Sequence, residues 1–539
     1  MNAMSGIATR SRAIPMPRIA RLTVDRRLPA LACLALLTAW AVHAHTRDLG
    51  APLWIDEGIS FGIAHHALSG IPGVLRQDGS PPLFYLLLHL WTGVFGGGVR
   101  SGHALTLLLA VLAVPAAYWA TLNPFGRQAA LCAAAVVALD PFAGTYAIEV
   151  RMYSLLLLLG VLTTGTFLRA YIVHPGHRGW AAAFAVSLAA LFYTHNWALF
   201  LGTATGLAWL VLLLFAAAPQ RRALLVGGLI GFGGAAVLFG PWVPTVLAQM
   251  AHTGAPWSHA PHWHSVGRAF ERMLGGSTPE TVLLLFALAG VITLLRPGAP
   301  VVSRAALATF AIALGTFALA YAWSNVSSPA WALRYLSIVL APAAIVIGAG
   351  LGRTGVVAAV VLAVVFVGSW YGKPAHSALA HKSNVAIIAH RLGPDLARGT
   401  QVFSTQPEQV PVLRYYLPDG LRYATPLGPV PDPRVMDWRD AMRRLDRPAA
   451  RWTFSRLLAG LRPGRQLLLV QPRFGSPSAP WTRRIRHLSH VVTRTLHADR
   501  GIRIVARVIP HRGYNRSTLS ALVLERKGAS PRGGRAAPP

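Results

Sequence analysis

Between Leu28 and Tyr371 the sequence returns repeatedly to apolar stretches with few charges, at roughly residues 28–45, 103–121, 127–144, 152–172, 179–195, 197–217, 223–243, 279–296, 304–323, 334–352 and 354–371. Each is close to the ~20 residues that a helix needs to cross a hydrocarbon core of ~30 Å. A chain of 539 residues with 54% hydrophobic content has more apolar sequence than one soluble core can bury. The reading is a polytopic α-helical membrane protein of about eleven spans, with a membrane domain over residues 28–371.

The charge supports this. A formal net charge of +32 would suggest nucleic acid in a soluble protein, but here many arginines stand where apolar runs end, as the positive-inside rule requires, so no nucleic-acid partner is read. Residues 1–27 carry Arg10, Arg12, Arg18, Arg21, Arg26 and Arg27 against a single acid, Asp25. This places the N-terminus in the cytoplasm, and the many later spans make the first helix an uncleaved anchor rather than a signal peptide. The first loop, residues 46–102, is then outside. Within it Pro82 to Phe95 is apolar but only ~14 residues long before Gly96-Gly97-Gly98. Were it to cross, Arg221-Arg222 and the His174 to Arg178 segment would face outside; lying in the interface, it leaves both cytoplasmic and the count at eleven.

Only 18 acids occur in the whole chain, and two motifs of that outer loop carry three of them, Asp56, Glu57 and Asp78. The stretch Trp54-Ile55-Asp56-Glu57-Gly58-Ile59-Ser60 and its companion Asp78-Gly79-Ser80-Pro81-Pro82-Leu83 set carboxylates at the membrane surface, where they can stay ionised and still meet a lipid-borne substrate. Four more polar clusters share that side: Glu149 to Tyr153, including Arg151; His195-Asn196; the loop from Pro244 to Ser277; and Asn325 to Tyr335, including Arg334. Taken singly, each has a bland reading as a snorkelling arginine or a polar turn. Their convergence on one face points to a site. His259, His262 and His264 match no zinc spacing and read as an aromatic, lipid-interface loop. Cys33 and Cys132 lie inside apolar runs and imply no disulfide.

After Tyr371 the composition turns Arg-rich and Pro-dotted. Strand-like runs at 401–404, 466–470, 502–508 and 519–524 alternate with helical patterns at 383–392, 407–416, 435–445 and 480–497, which predicts an extracytoplasmic α/β domain over residues 372–526 and a disordered tail, 527–539.

The first-loop Asp-Glu, the Asp-x-x-Pro-Pro-Leu, the Glu-x-Arg-x-Tyr at 149–153, the Tyr-x-His at 193–195, the Pro-Trp-x-Pro at 241–244 and the Arg334-Tyr335 pair together resemble the GT-C membrane glycosyltransferases. The nearest branch looks like the family-39-type bacterial enzymes related to protein O-mannosyltransferases and to the lipid A aminoarabinose transferase. The resemblance covers about residues 28 to 371 and implies inverting, mannosyltransferase-like transfer of a sugar from a polyprenyl-phosphate donor to a lipid, glycan or protein acceptor of the cell envelope. It makes Asp56 the base and gives Glu57 a second role in the chemistry: orienting Asp56, binding a sugar hydroxyl or helping to hold a divalent ion. Asp78, Glu149, Tyr153, His195 and Tyr335 become substrate-binding candidates. Relatives often carry Lys or His immediately before Pro-Pro. Here that residue is Ser80, so Arg151 and Arg334 are the candidates for holding the donor phosphate. A transporter or flippase for a lipid-linked or anionic substrate is the competing class, but it would place ionisable groups at mid-span in paired halves, and no halves repeat.

Overall fold

The computed structural model describes residues 27–295, 298–327, 329–372, 375–475, 479–511 and 513–528. The basic segment 1–26 and the tail from 529 lie outside the described residues, as do the expectations made for them.

The chain to Gly372 is almost wholly helical. Among the described residues seven helices are long and apolar enough to cross a membrane, and eight if the pair Arg127–Leu139 and Pro141–Ala147, bent by 56°, is one span. That bend has a local cause: the Asp140 carboxylate caps the second helix by accepting from the Phe142 and Ala143 amides, and Pro141 occupies its first turn. Of the expected spans, Arg178–Phe192, Ala198–Leu214 and Val356–Gly368 are shorter than 18 residues, so the count of about eleven is not reached by length alone. The segment after Pro82 forms a helix, Leu83–Phe95, of 13 residues, ended by Gly96 at φ 81°, where an L side chain is rarely tolerated.

The C-terminal region folds around a six-stranded mixed sheet: β1 (Gln401–Ser404), β2 (Arg422–Thr425), β3 (Gly428–Pro429), β4 (Gln466–Pro472), β5 (Ile502–Val508) and β6 (Leu519–Arg526), in the order β3-β2-β1-β4-β6-β5. β1 is parallel to both β2 and β4, with Val402 beside Tyr423 and Leu468; the remaining pairs are antiparallel. Strand alternation divides the side chains between two cores. Phe403, Leu467, Leu469 and Leu524 pack against Phe454 and Leu458 of the helix Ala449–Ala459 and Val492 of Pro480–Ala498. Val402, Leu468, Val470 and Val523 turn to the other face and join a core continuous with that of the membrane helices.

Two glycines allow this continuity. Gly58 and Gly62 lie one turn apart on the first-loop helix Ile55–Ala64, and a Cβ on either would collide with backbone atoms of the C-terminal region, at Val412 and Arg434 respectively. The first loop is therefore clamped between membrane helices and sheet region.

Candidate active site

Asp56 and Glu57 open the helix Ile55–Ala64, where acids in the first turn are favoured by the helix dipole. Being adjacent on a helix, they diverge by about 100°. That single turn sends them into different surroundings.

Glu57 goes inward and is fully buried. Its Oε1 accepts from His103 Nε2 (2.7 Å), Lys382 Nζ (2.9 Å) and the Val150 amide (3.0 Å), while Oε2 accepts from Lys382 Nζ (2.8 Å) and the Trp54 amide (3.2 Å). The last of these is the helix-side half of a capping box. Burial by itself would raise this carboxyl, but the Lys382 ammonium and His103 outweigh it and hold it down at about 2. Lys382 also donates to the Ile148 carbonyl at 3.1 Å, and His103 Nδ1 bonds the Leu49 carbonyl at 2.8 Å. The cluster thus ties together the start of the first loop, the 148–150 turn and the entry to the sheet region. Both Glu57 oxygens are thus engaged by donors of the protein itself.

Asp56 goes to a partly open face. Its Oδ2 lies 3.4 Å from Arg334 Nη2, both side chains are 17% exposed, and that oxygen makes no hydrogen bond. Arg334 sits in the turn Leu333–Leu336, its guanidinium 4.9 Å from the ring centre of Trp257, 5.5 Å from Tyr335 and 5.9 Å from Trp54, with Nε unengaged. These rings surround the cation and leave its Nε without a partner. Arg151, in the turn before Tyr153–Leu168, reaches the same place: Nη1 donates to Tyr85 OH (3.1 Å), Ser60 Oγ (3.5 Å) and the Asp56 carbonyl (3.5 Å), and Nε has no partner.

The other expected residues distribute around this centre. Tyr153, His195 and Tyr335 form one aromatic group, with ring centres 6.3 Å (Tyr153–His195), 4.5 Å (His195–Tyr335) and 6.2 Å (Tyr153–Tyr335) apart. His195 Nδ1 accepts from the Trp197 amide at 3.0 Å, and burial together with Arg151 and Arg334 pushes its pKa down to about 3, so the ring is neutral. Asp78 ends the helix Ile71–Asp78 and is half-buried; desolvation raises its carboxyl against the opposing pull of Arg151 and hydrogen bonding from Ser80. Its loop is pinned by Gln249, whose Nε2 donates to the Leu75 and Ser80 carbonyls at 2.9 and 3.2 Å, and by Asn196, which donates to the Gly79 carbonyl at 3.1 Å. Glu149 is buried and turned towards Arg516, at 3.3 Å, rather than towards Asp56's open side.

Sequence reasoning missed His103, Tyr85, Lys382 and Arg516. Lys382 had a signal: it is one of three lysines, with Lys373 and Lys527, in a chain that otherwise uses arginine. His259, His262 and His264 are exposed, and among the described residues no group of three or more His, Cys, Asp or Glu assembles as a metal site. An apolar cleft of about 630 Å³ between Ala198–Leu214 and the helical stretch that follows is lined by residues such as Trp209, Leu229 and Phe232, and by none of the charged groups above. It offers no acid or base to a reaction.

No sequence-family model matches the chain, and no curated protein matches it in sequence. Solved structures do resemble it. ArnT from Cupriavidus metallidurans, bound to undecaprenyl phosphate, aligns with a TM-score of 0.62 and 13% identity over 92% of this chain and 98% of that one. The archaeal oligosaccharyltransferase AglB from Archaeoglobus fulgidus, in complex with an inhibitory peptide and a dolichol-phosphate, aligns with a TM-score of 0.50 and 12% identity over 73% of this chain and 64% of its own. The arabinofuranosyltransferase AftD from Mycobacteria gives 0.50 and 15% over 93% of this chain and 42% of its own. At such identities the likeness is one of fold.

Proposed function

We propose, from the GT-C fold that this chain has, that it is a membrane glycosyltransferase moving a sugar from a polyprenyl-phosphate donor to an envelope acceptor on the outer face of the cell membrane. Asp56 is the base. It takes the proton of an acceptor hydroxyl as that oxygen bonds to the sugar C1, and the C1–O bond to phosphate breaks on the opposite side, inverting the centre. The electron pair leaves with the lipid phosphate, whose charge is met by Arg151 and Arg334. Tyr153, His195 and Tyr335 offer aromatic faces and a neutral imidazole to the sugar, and Asp78 offers a carboxyl. Glu57 is assigned to positioning Asp56 rather than to the reaction. The eight long spans, counting the bent pair as one, together with Arg178–Phe192, Ala198–Leu214 and Val356–Gly368 make the eleven-span arrangement with a cytoplasmic N-terminus and Leu83–Phe95 in the outer interface.

The observation that carries this reading is Asp56 Oδ2, 3.4 Å from a guanidinium yet without a hydrogen bond, in a cluster that keeps an unpartnered Nε on both Arg151 and Arg334. Structural ion pairs use up their capacity; this one does not. Incubating the purified protein with a labelled polyprenyl-phosphate sugar and cell-envelope extract tests it. Label passing to an acceptor is the expected result. Label that only changes sides in sealed vesicles, with no transfer, would replace the enzyme by a flippase.

A further inference from the structure

The sheet region reaches the charged centre through one backbone clasp. The amides of Arg516 and Ser517 both donate to the Lys382 carbonyl at 3.0 Å, and the Asn515 amide donates to the His381 carbonyl at 2.9 Å. Two cations far apart in sequence therefore leave from a single strip of backbone, and they end differently. Lys382 is spent on Glu57. Arg516 meets Glu149 through Nη2 to Oε2 at 3.3 Å and also reaches Tyr146, and its side chain stays 29% exposed.

The position of Arg516 is informative. Its guanidinium carbon lies 5.2 Å from the centre of the Trp54 ring, the same ring that Arg334 approaches to 5.9 Å, so one indole holds two guanidinium groups near enough to repel each other. Gathering like charges at low dielectric is costly unless an anion comes between them. The resident acids do not supply enough of it. Against Arg151, Arg334 and Arg516 stand Asp56, Asp78 and Glu149, and burial raises the carboxyls of both Asp78 and Glu149, which weakens them as counter-charges. Glu149 Oε1 moreover has no partner, so the Arg516–Glu149 pair is half-made and can rearrange.

We propose that Arg516 is a third guanidinium ligand for the phosphate group of the donor, delivered by the C-terminal sheet region, which thereby becomes part of the active site. This rests on the transferase reading above. The ligand chemistry is a phosphate anion: the diester of the donor, or the monoester that the lipid becomes once the sugar has left, with inorganic phosphate as the free form of the same group. Lys382 anchors the strip from which Arg516 projects, and Trp54, the residue that caps the Asp56 helix, orients its plane.

The test is binding of a polyprenyl monophosphate in detergent micelles to the full chain, with inorganic phosphate as competitor. Arg516→Ala should weaken lipid binding by about ten- to a hundredfold, the loss of one charge-assisted contact, and Arg516→Lys should recover part of it. Arg516→Ala combined with Glu149→Gln, which removes the acid left unpaired, should bind as weakly as Arg516→Ala alone. Recovery of wild-type affinity in that double variant would show Arg516 only neutralising Glu149 and would overturn the proposal. Arg503→Ala, which breaks an exposed pair with Glu525 in the same sheet, should bind as the wild type does. Displacement by inorganic phosphate that weakens in Arg516→Ala shows the phosphate group itself to be read. Failure of inorganic phosphate to displace, with the Arg516 dependence intact, shows that the anion is read as a lipid headgroup. If Arg151→Ala and Arg334→Ala weaken binding and Arg516→Ala does not, the third ligand is lost and the transferase reading stands. If none of the three changes binding, the donor assignment fails as well.

Discussion

Asp56 and Glu57 are neighbours in sequence and on one helical turn, yet they belong to opposite kinds of charged site. The Glu57 cluster is closed: a fully buried carboxylate with five hydrogen bonds from His103, Val150, Lys382 and Trp54. The Asp56 cluster is open: partly exposed, with one oxygen lacking a hydrogen bond and two guanidinium groups holding unused donors. Burial of ions is tolerated only when their bonding is complete, so the first arrangement is what stability requires. The second is tolerated only where something else benefits from it, and incomplete bonding beside ready counter-charge is what a ligand exploits. On the proposed function, two adjacent acids thus separate a clamp from a reagent.

The largest expected effect would break the comparison from the open side. Asp56→Asn keeps shape and removes the ability to accept a proton, so turnover should fall by about 10²- to 10⁴-fold. Thermal stability in detergent should change less than for the Glu57 cluster, since Oδ2 has no hydrogen bond to lose and gives up only its 3.4 Å charge contact with Arg334. Sugar transfer and melting temperature measured on the same preparation check this. A variant with near-full transfer would return the role of base to another acid, with Asp78 first in line.

From the closed side the effect is on stability. Lys382→Met leaves Glu57 buried without its main counter-charge, at a cost of about 3 to 5 kcal/mol, whereas the pair Glu57→Gln with Lys382→Met should cost much less than the sum of the single changes. The pH dependence has a definite sign. The folded-state pKa of Glu57 is lowered from 4.5 to about 2, so its contribution is complete above about 4.5 and disappears as pH falls towards 2. Asp78 and Glu149, raised by burial, act in the opposite sense, because the folded protein binds their protons more readily than the unfolded chain. Melting curves of the wild type and the double variant isolate the Glu57 part: only the wild type should lose it over that window. Equal acid sensitivity in both would mean that the cluster is not what holds the first loop.

Much of the open site was legible because its residues interrupt apolar sequence. Asp56, Arg151, His195 and Arg334 each stand at the end of a hydrophobic run, where an ionisable or polar group is conspicuous. The closed site was not: His103 stands in the first turns of a long helix beside Arg100 and Ser101, where one more polar group is inconspicuous, and Lys382, like Arg516 beyond it, lies in a basic, irregular region where one more cation has no pattern. Their meaning comes only from the backbone clasp between residues 381–382 and 515–517. The fold shows the same division. Four strands were readable from their apolar runs, but β2, Arg-Tyr-Ala-Thr, has no such run and β3 has only two residues. The helix expected at 435–445 is Ala441–Asp446, delayed by Asp440 in the left-handed region at φ 50°, and Ala449–Ala459 was passed over because Arg451, Thr453 and Arg456 blur its apolar face.

The smallest expected effect tests how open the open site is. Tyr85 is buried on the helix Leu83–Phe95 and accepts from Arg151 Nη1 at 3.1 Å, the shortest hydrogen bond that the Arg151 side chain makes; the other two are 3.5 Å. Tyr85→Phe removes that acceptor without removing the ring or the charge. In a closed cluster the loss would leave a buried donor unmatched and lower stability by about 1 to 3 kcal/mol. Here Arg151 already keeps an unpartnered Nε and two long contacts, so the guanidinium can turn towards water or towards bound phosphate. The expected outcome is a stability loss of about 1 kcal/mol or less and a donor affinity changed by less than about tenfold, clearly smaller than the effect of Arg151→Ala. Isothermal binding of polyprenyl phosphate alongside melting curves reads both quantities. A stability loss of several kcal/mol with unchanged affinity would place Arg151 among the closed, structural charges, and would leave Arg334 as the principal phosphate ligand of the membrane helices.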